Sequence, residues 1–371
     1  MKNQYILYSA MALMISGFAN QTACSQDFRT GQVITTAVPS LRIPVDARAG
    51  GMGEAGIAVS ADASSGFRNL AKTAFAANRS ALAVNYTPWM PDVSAGMYLL
   101  SLSGYHRPDT LRAITASVRY FNLGDFALQD NNGNLLQTTR PHDLLMDIGY
   151  ARRLSDRLAL GLAFRYINSN LANGTSDGIN YKPGESVAAD VSLFYNGLNE
   201  AGQGFSAGLA FTNLGARISY TGGASKEFIP ANLGLGAAYT TVLETDHRIT
   251  LAADINKLMV PKMPADDAKM QDYYNMGLVK SWTKSFDNNA FQYSLGAEYS
   301  YQGMLSLRSG YFLENKSQGN RKGLTAGVGL RYQAFQVDLS YMAPSGNGAT
   351  RSPLSNTLHL GLQWVLNGRE E

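Results

Sequence analysis

The final strand-length stretch of this chain, residues 356–366, alternates without a break. Leu358, Leu360, Leu362, Trp364 and Leu366 fall on one face, and Thr357, His359, Gly361 and Gln363 on the other. Strand side chains point to opposite faces with period two, so strict alternation specifies a half-apolar strand. The pattern recurs at Leu324, Ala326, Val328, Leu330 and Tyr332 against Thr325, Gly327, Gly329 and Arg331. It recurs again at Leu158, Leu160, Leu162, Phe164 and Tyr166 against Ala159, Gly161, Ala163 and Arg165. One large apolar row opposite a row of small and charged residues is the pattern of a transmembrane barrel strand, whose outer face lipid covers. In water the same strands would need a second sheet to cover them.

Composition agrees. Charged residues make up 16%, against roughly 25% in a soluble domain. The 37 glycines and 20 tyrosines suit small lumen-lining side chains and aromatic rings at two membrane interfaces. Past the amino-terminal leader, no stretch has the ~18 consecutive apolar residues of a spanning helix. Lys2, the apolar stretch Tyr5 to Ala19, and Ala23-Cys24-Ser25 read as an export signal over residues 1–25, with Gln26 as the mature start. Processing as a lipoprotein at Cys24 is the alternative, for which Gln21 is a poor residue three positions earlier. Cys24 is the single cysteine, so a mature chain without it has no thiolate chemistry and no disulfides. A formal charge of +3, or +2 once Lys2 is removed, gives no reason to expect a nucleic-acid partner.

About fourteen strands of roughly 10 residues are expected between residues 80 and 371, the length that crosses a bilayer at a tilt. Links 107–109, 153–156, 244–246, 301–303 and 333–334 are short. Alternating with them are long polar links at 123–141, 170–185, 220–229, 259–289, 315–321 and 344–353. Outer-membrane barrels have short periplasmic turns and long outer loops, so both termini are expected on the periplasmic side. In this register Arg119, Asp147, Arg165, Asp190, Asp254, Glu298, Arg308, Arg331 and Asp338 all fall on the small-residue rows. A lumen tolerates such charge and a lipid face does not. Wall-filling ion pairs are the expectation.

Residues 26–79 are too polar and glycine-rich to span lipid, and are expected to sit inside the barrel as a plug or hatch. Within them Gly51-Met-Gly-Glu-Ala-Gly56 matches a dinucleotide-binding fingerprint letter for letter. That fingerprint must follow a buried strand, whereas Val45-Asp-Ala-Arg-Ala49 precedes it here, so tight packing of glycines is the better account. His106, His142, His247 and His359 have no metal spacing. His142 beside Asp143, or His359, near one of many serines is too common a chance to indicate a catalytic triad. No cofactor, metal or catalytic residue is expected.

The link 259–289 is the most individual. Met270, Tyr274, Leu278, Trp282 and Phe286 recur every four residues, which on a helix gives a drifting apolar stripe. Such a helix would either cap the barrel mouth or offer aromatic anchors to another protein. Trp89, in Tyr86-Thr-Pro-Trp-Met90 at the tip of the first hairpin, would either join that surface or anchor at the membrane interface.

Several segments resemble the PorV family, the FadL-like outer-membrane barrels of the type IX secretion system in the Bacteroidota. They are residues 51–64, Asn85-Tyr-Thr-Pro-Trp89, residues 228–236 and Pro353-Leu-Ser-Asn-Thr-Leu358. The chain departs from FadL-like plugs at Asn69-Leu70-Ala71, where those usually carry Asn-Pro-Ala. The resemblance implies a non-enzymatic protein of the outer membrane, embedded in its lipid. Its implied partners are a large translocon barrel, cargo proteins bearing a C-terminal sorting domain, and a cell-surface sortase that attaches the cargo. A FadL-like transporter of hydrophobic small molecules is the alternative, and a lipid deacylase a more distant one.

Overall fold

The computed structural model describes residues 33–366 apart from 91–95, 130–134, 172–173, 177–178, 223–225, 245 and 344–356. The expected export signal, with Cys24, lies outside the described residues. The strands are β1 (Ser80–Pro88), β2 (Tyr98–His106), β3 (Arg112–Asn122), β4 (Phe126–Gln129), β5 (Leu135–Thr139) and β6 (His142–Arg153). They continue with β7 (Leu158–Asn170), β8 (Gly174–Ser176), β9 (Ile179–Tyr181), β10 (Gly184–Leu198), β11 (Gly204–Gly215) and β12 (Asn232–Leu243). The last are β13 (His247–Leu258), β14 (Phe291–Tyr301), β15 (Leu305–Glu314), β16 (Lys322–Tyr332), β17 (Phe335–Met342) and β18 (Leu358–Leu366).

Among the described residues, fourteen strands form one closed antiparallel barrel, as the alternation predicts. β4–β5 and β8–β9 are small hairpins inside two of the long links. Closure comes from β1 pairing with β18, Ser80 opposite Leu366 and Val84 opposite Leu362. Among the described residues the barrel wall itself has no open strand edge, which is what a sheet in lipid requires.

The two faces segregate as read. Leu162, Phe164, Leu330, Leu360 and Leu362 are exposed on the outside, whereas Ala159, Arg165, Thr325, His359 and Gln363 are buried toward the lumen. Outward aromatic rings gather at both rims. Tyr86, Tyr166, Tyr293 and Tyr341 lie toward the long links, while Tyr239, Tyr301, Tyr332 and Trp364 lie toward the short turns. Such paired girdles mark the two membrane interfaces of a spanning barrel.

The interior is filled by residues 33–79. This segment bonds to strands all around the wall, which within a closed barrel places it in the lumen. It enters at the long-link rim, where Ile34 N donates to Ser317 O (2.8 Å) and Ala37 N to Phe228 O (2.9 Å). It leaves at the short-turn rim, where Arg107 N donates to Arg79 O (2.7 Å) just before β1. The first described residues therefore lie at the long-link rim, and the position of the amino terminus depends on residues outside the description.

Candidate functional site: the occupied lumen and its outer rim

Two short caps shape the lumenal segment. Asp46 accepts from Ala49 N (2.7 Å) and starts the helix Ala47–Gly51, as expected of an N-cap aspartate. Asn69 accepts from Ala71 N (3.1 Å) and starts the 3₁₀ helix Leu70–Phe75. The Asn69 amide also donates to Ile57 O (3.1 Å) and Leu193 O (3.0 Å), tying the segment to itself and to β10.

Between the caps the backbone lies against glycines of the wall. A methyl group on Gly310 would sit 2.1 Å from Gly53 N, and one on Gly53 only 2.5 Å from Tyr311 N. Gly53 also has φ +63, where a side chain is strained. The fingerprint-like Gly51–Gly56 stretch is thus a point of backbone-to-wall contact. It follows the helix Ala47–Gly51 and not a strand.

Polar bonds fix this seating. Gly53 N donates to Thr325 Oγ1 (2.8 Å), which donates to Gly51 O (3.0 Å). Asp254 Oδ2 accepts from Gly56 N (2.7 Å) and Ile57 N (2.9 Å). Ser206 donates to Ala58 O (2.7 Å), and Ala63 N donates to Gln363 Oε1 (3.0 Å). Each such bond contributes about 1 kcal/mol net, and removing one partner costs more, because a buried group is left unpaired.

Most of the lumenal charges form ion pairs, while Asp254 takes backbone N–H groups instead. Arg48 of the segment makes a bidentate pair with Glu298 (2.9 and 2.8 Å) and reaches Asp62 (3.2 Å). Glu298 also takes Arg308 (2.7 Å), which extends to Asp338 (2.6 Å). On the opposite wall Arg165 bridges Asp147 and Asp190, with Arg119 3.8 Å from Asp147. Lys72 Nζ donates to Gly56 O (2.7 Å).

At the long-link rim, Glu314 accepts from Arg42 (3.1 Å) and Arg321 (2.9 Å), and Arg321 reaches Glu54 (3.4 Å). This bolt ties the link 315–321 to the lumenal segment. The polarity of Arg42, Glu54, Glu314 and Arg321 is visible in sequence, but their convergence is not. Beside it a cavity of about 100 Å3 is lined by Arg42, Arg68, Arg119, Asn213, Asn256 and Gln318, among others.

The link 259–289 departs from the single helix that its spacing predicts. It forms two short helices, Met270–Tyr274 and Leu278–Lys284, separated at Asn275–Gly277. Gly277 leaves the helical conformation (ψ 154), and Arg217 donates to the carbonyls of Tyr273 (3.2 Å), Tyr274 and Met276, taking up the end of the first helix. Its guanidinium also lies 3.7 Å from the Phe228 ring centroid. Tyr273, absent from the four-residue stripe, is the buried anchor; it packs edge-on to Phe228 at 5.4 Å beside Ile34, Leu258 and Val260. Its burial pushes the phenol up to about 12. Of the stripe, Met270, Tyr274, Leu278 and Trp282 are half-buried and Phe286 is exposed, with Val279 exposed beside it. Trp89 is buried, edge-on to Phe121 at 6.3 Å and packed with Val45 and Leu99. The structure thus keeps Trp89 apart from the exposed side chains of the link.

A closed, lipid-facing barrel with aromatic girdles and an occupied polar lumen defines an outer-membrane barrel of the FadL-like type. The chain belongs to the family of the type IX secretion system protein PorV, whose model matches residues 25–265. No curated protein matches it. Similar solved structures include a Pseudomonas aeruginosa FadL homologue, with 11% identity and TM-score 0.55, covering 90% of this chain and 99% of that one. The CymD monoaromatic hydrocarbon channel has 12% identity and TM-score 0.56, covering 87% and 98%. The P. putida toluene transporter TodX has 13% identity and TM-score 0.53, covering 86% and 98%. At these identities the likeness concerns the fold. Neither PorV nor the FadL-like transporters are enzyme families.

Proposed function

We propose that this protein is the outer-membrane component of the type IX secretion system that associates with the translocon barrel. In this reading it receives cargo bearing a C-terminal sorting domain and delivers it to the cell-surface sortase. The long links face the cell exterior, and the carboxy-terminal strand ends on the periplasmic side. Family membership supports the reading, and the lumen carries the argument. A channel for hydrophobic molecules needs an apolar pocket, typically ~300 Å3 or more. Here the lumen is occupied by a segment bonded to the wall on all sides, beside a polar cavity of about 100 Å3. An occupied lumen moves the working surface to the outer rim. There Phe286 and Val279 are exposed beside half-buried Trp282, Leu278, Tyr274 and Met270, a set suited to anchoring a partner. Buried Trp89 would support the rim from beneath.

Deleting the gene tests the function. Sorting-domain proteins should accumulate in the periplasm while uptake of a monoaromatic compound is unchanged. Loss of uptake with normal secretion would favour the transporter instead. For the surface, a Tyr274→Ala, Trp282→Ala double variant should fold, judged by heat-modifiable gel mobility. It should lose co-purified translocon and cargo by more than about tenfold, since anchors of this kind each contribute ~2 kcal/mol. Wild-type recovery of both would exclude these residues from docking.

A further inference from the structure

The cavity at the outer end of the lumen holds buried donors without partners. Among the described residues, Arg68 Nη2, Arg119 Nε and Gln318 Nε2 are buried without a hydrogen-bond partner, and all three residues line it. Arg119 is 4% exposed and Gln318 is 7% exposed. Several acceptors around them are engaged. Asp46 accepts from Ala49 N and faces Arg68 Nε at 3.5 Å. Glu54 accepts from Gln292 (2.7 Å) and pairs with Arg321. Asn213 Oδ1 takes Arg165, and Asn256 Oδ1 takes Asn232 (3.0 Å). Arg119 lies over the Phe67 ring at 5.1 Å and approaches Asp147, a carboxylate it shares with Arg165, no closer than 3.8 Å. Buried unpaired donors are costly, and a species carrying acceptor oxygens and negative charge removes that cost. About 100 Å3 accommodates several waters, or one small oxyanion in place of some of them.

We propose that this cavity is a binding site for a single oxyanion, a carboxylate or phosphate group, held by Arg68, Arg119 and Gln318. The cavity lies where β11, β12, β13 and β14 meet the long-link rim, lined by Asn213, Asn232, Asn256 and Gln292. The group arrives either as a free small anion or as the terminal carboxylate of a peptide entering from the mouth. The site is independent of the secretion reading.

Calorimetric titration of the full-length protein in detergent tests this, using acetate, inorganic phosphate, and one short peptide with either a free or an amidated carboxy end. Saturable binding of acetate or phosphate below roughly 10 mM, the weak end for one small site, is expected. Binding of the free-acid peptide but not the amide would identify a chain terminus as the source. Binding of the free anions alone would identify a diffusing anion. The decisive variant is Gln318→Glu. It retains an oxygen acceptor for Arg42, which bonds Gln318 Oε1, but replaces the unpaired donor with negative charge. It should keep wild-type heat-modifiable mobility and bind anions at least about tenfold more weakly. No saturable binding of any probe, the outcome if only water fills the cavity, overturns the proposal. So does unchanged affinity in folded Gln318→Glu.

Discussion

Gly310 faces the lumenal segment at its closest approach, so replacing it with alanine separates the seating of that segment from the integrity of the wall. The added methyl would lie 2.1 Å from Gly53 N and 2.2 Å from the Met52 carbonyl carbon. Real contacts of this kind are longer than 3 Å, so one side must retreat by about an ångström. The wall is held by ladders on both sides, Gly310 opposite Gly296 and Thr325, and the segment is the part that yields. Its retreat strains or breaks the Gly53–Thr325 and Thr325–Gly51 bonds. Overpacking of about 1–3 kcal/mol and two bonds of about 1 kcal/mol each give about 3–5 kcal/mol. Opening of the segment should therefore be favoured by at least about a hundredfold, at 1.4 kcal/mol per factor of ten. A cysteine at Ala58, fully buried in the segment, reports opening by its rate of thiol labelling in a Cys24→Ser background. Gly310→Ala should label about a hundredfold faster than the parent while keeping the folded gel mobility of the barrel. Gly66→Ala is the control, since its nearest neighbour would be Thr115 Oγ1 at 3.9 Å. Equal labelling rates in Gly310→Ala and Gly66→Ala would refute a segment seated by backbone contact with the wall.

Glu298→Gln leaves the buried guanidiniums of Arg48 and Arg308 without their shared carboxylate. It should destabilise the folded protein by about 3 kcal/mol in a denaturant titration; a change under ~1 kcal/mol would mean that water screens the pair. Asp62 is the half-buried partner of Arg48 within the lumenal segment. Asp62→Asn should raise the neutral rate of labelling at Ala58→Cys, because Arg48 and Lys72 lose a carboxylate partner. On intact cells, a membrane-impermeant thiol reagent should label Lys269→Cys in the long link and spare Ser155→Cys in the short turn. The reverse result would invert the orientation.

How much was legible in the sequence followed from where each rule acts. Lipid imposes a requirement that each strand meets by itself, apolar at every second residue, so residues 158–166, 324–332 and 358–366 declared their faces and the barrel without reference to one another. Short and long links were equally local. The inward direction of Arg165, Asp254, Glu298 and Arg308 came from the same register. What they touch did not, because closure and strand order bring together Arg48 and Glu298, 250 residues apart, and bolt Arg42 to Glu314 at the rim. The stripe from Met270 to Phe286 had helical spacing, yet the carbonyls of Tyr273, Tyr274 and Met276 turn to Arg217 on a different link. The helix stops there, and Tyr273, not Tyr274, is the buried ring, packed on Phe228 of that other link. Local periodicity thus determined the wall, and only tertiary closure decided what fills it, because a lumenal side chain finds its partner across the barrel and not along the chain.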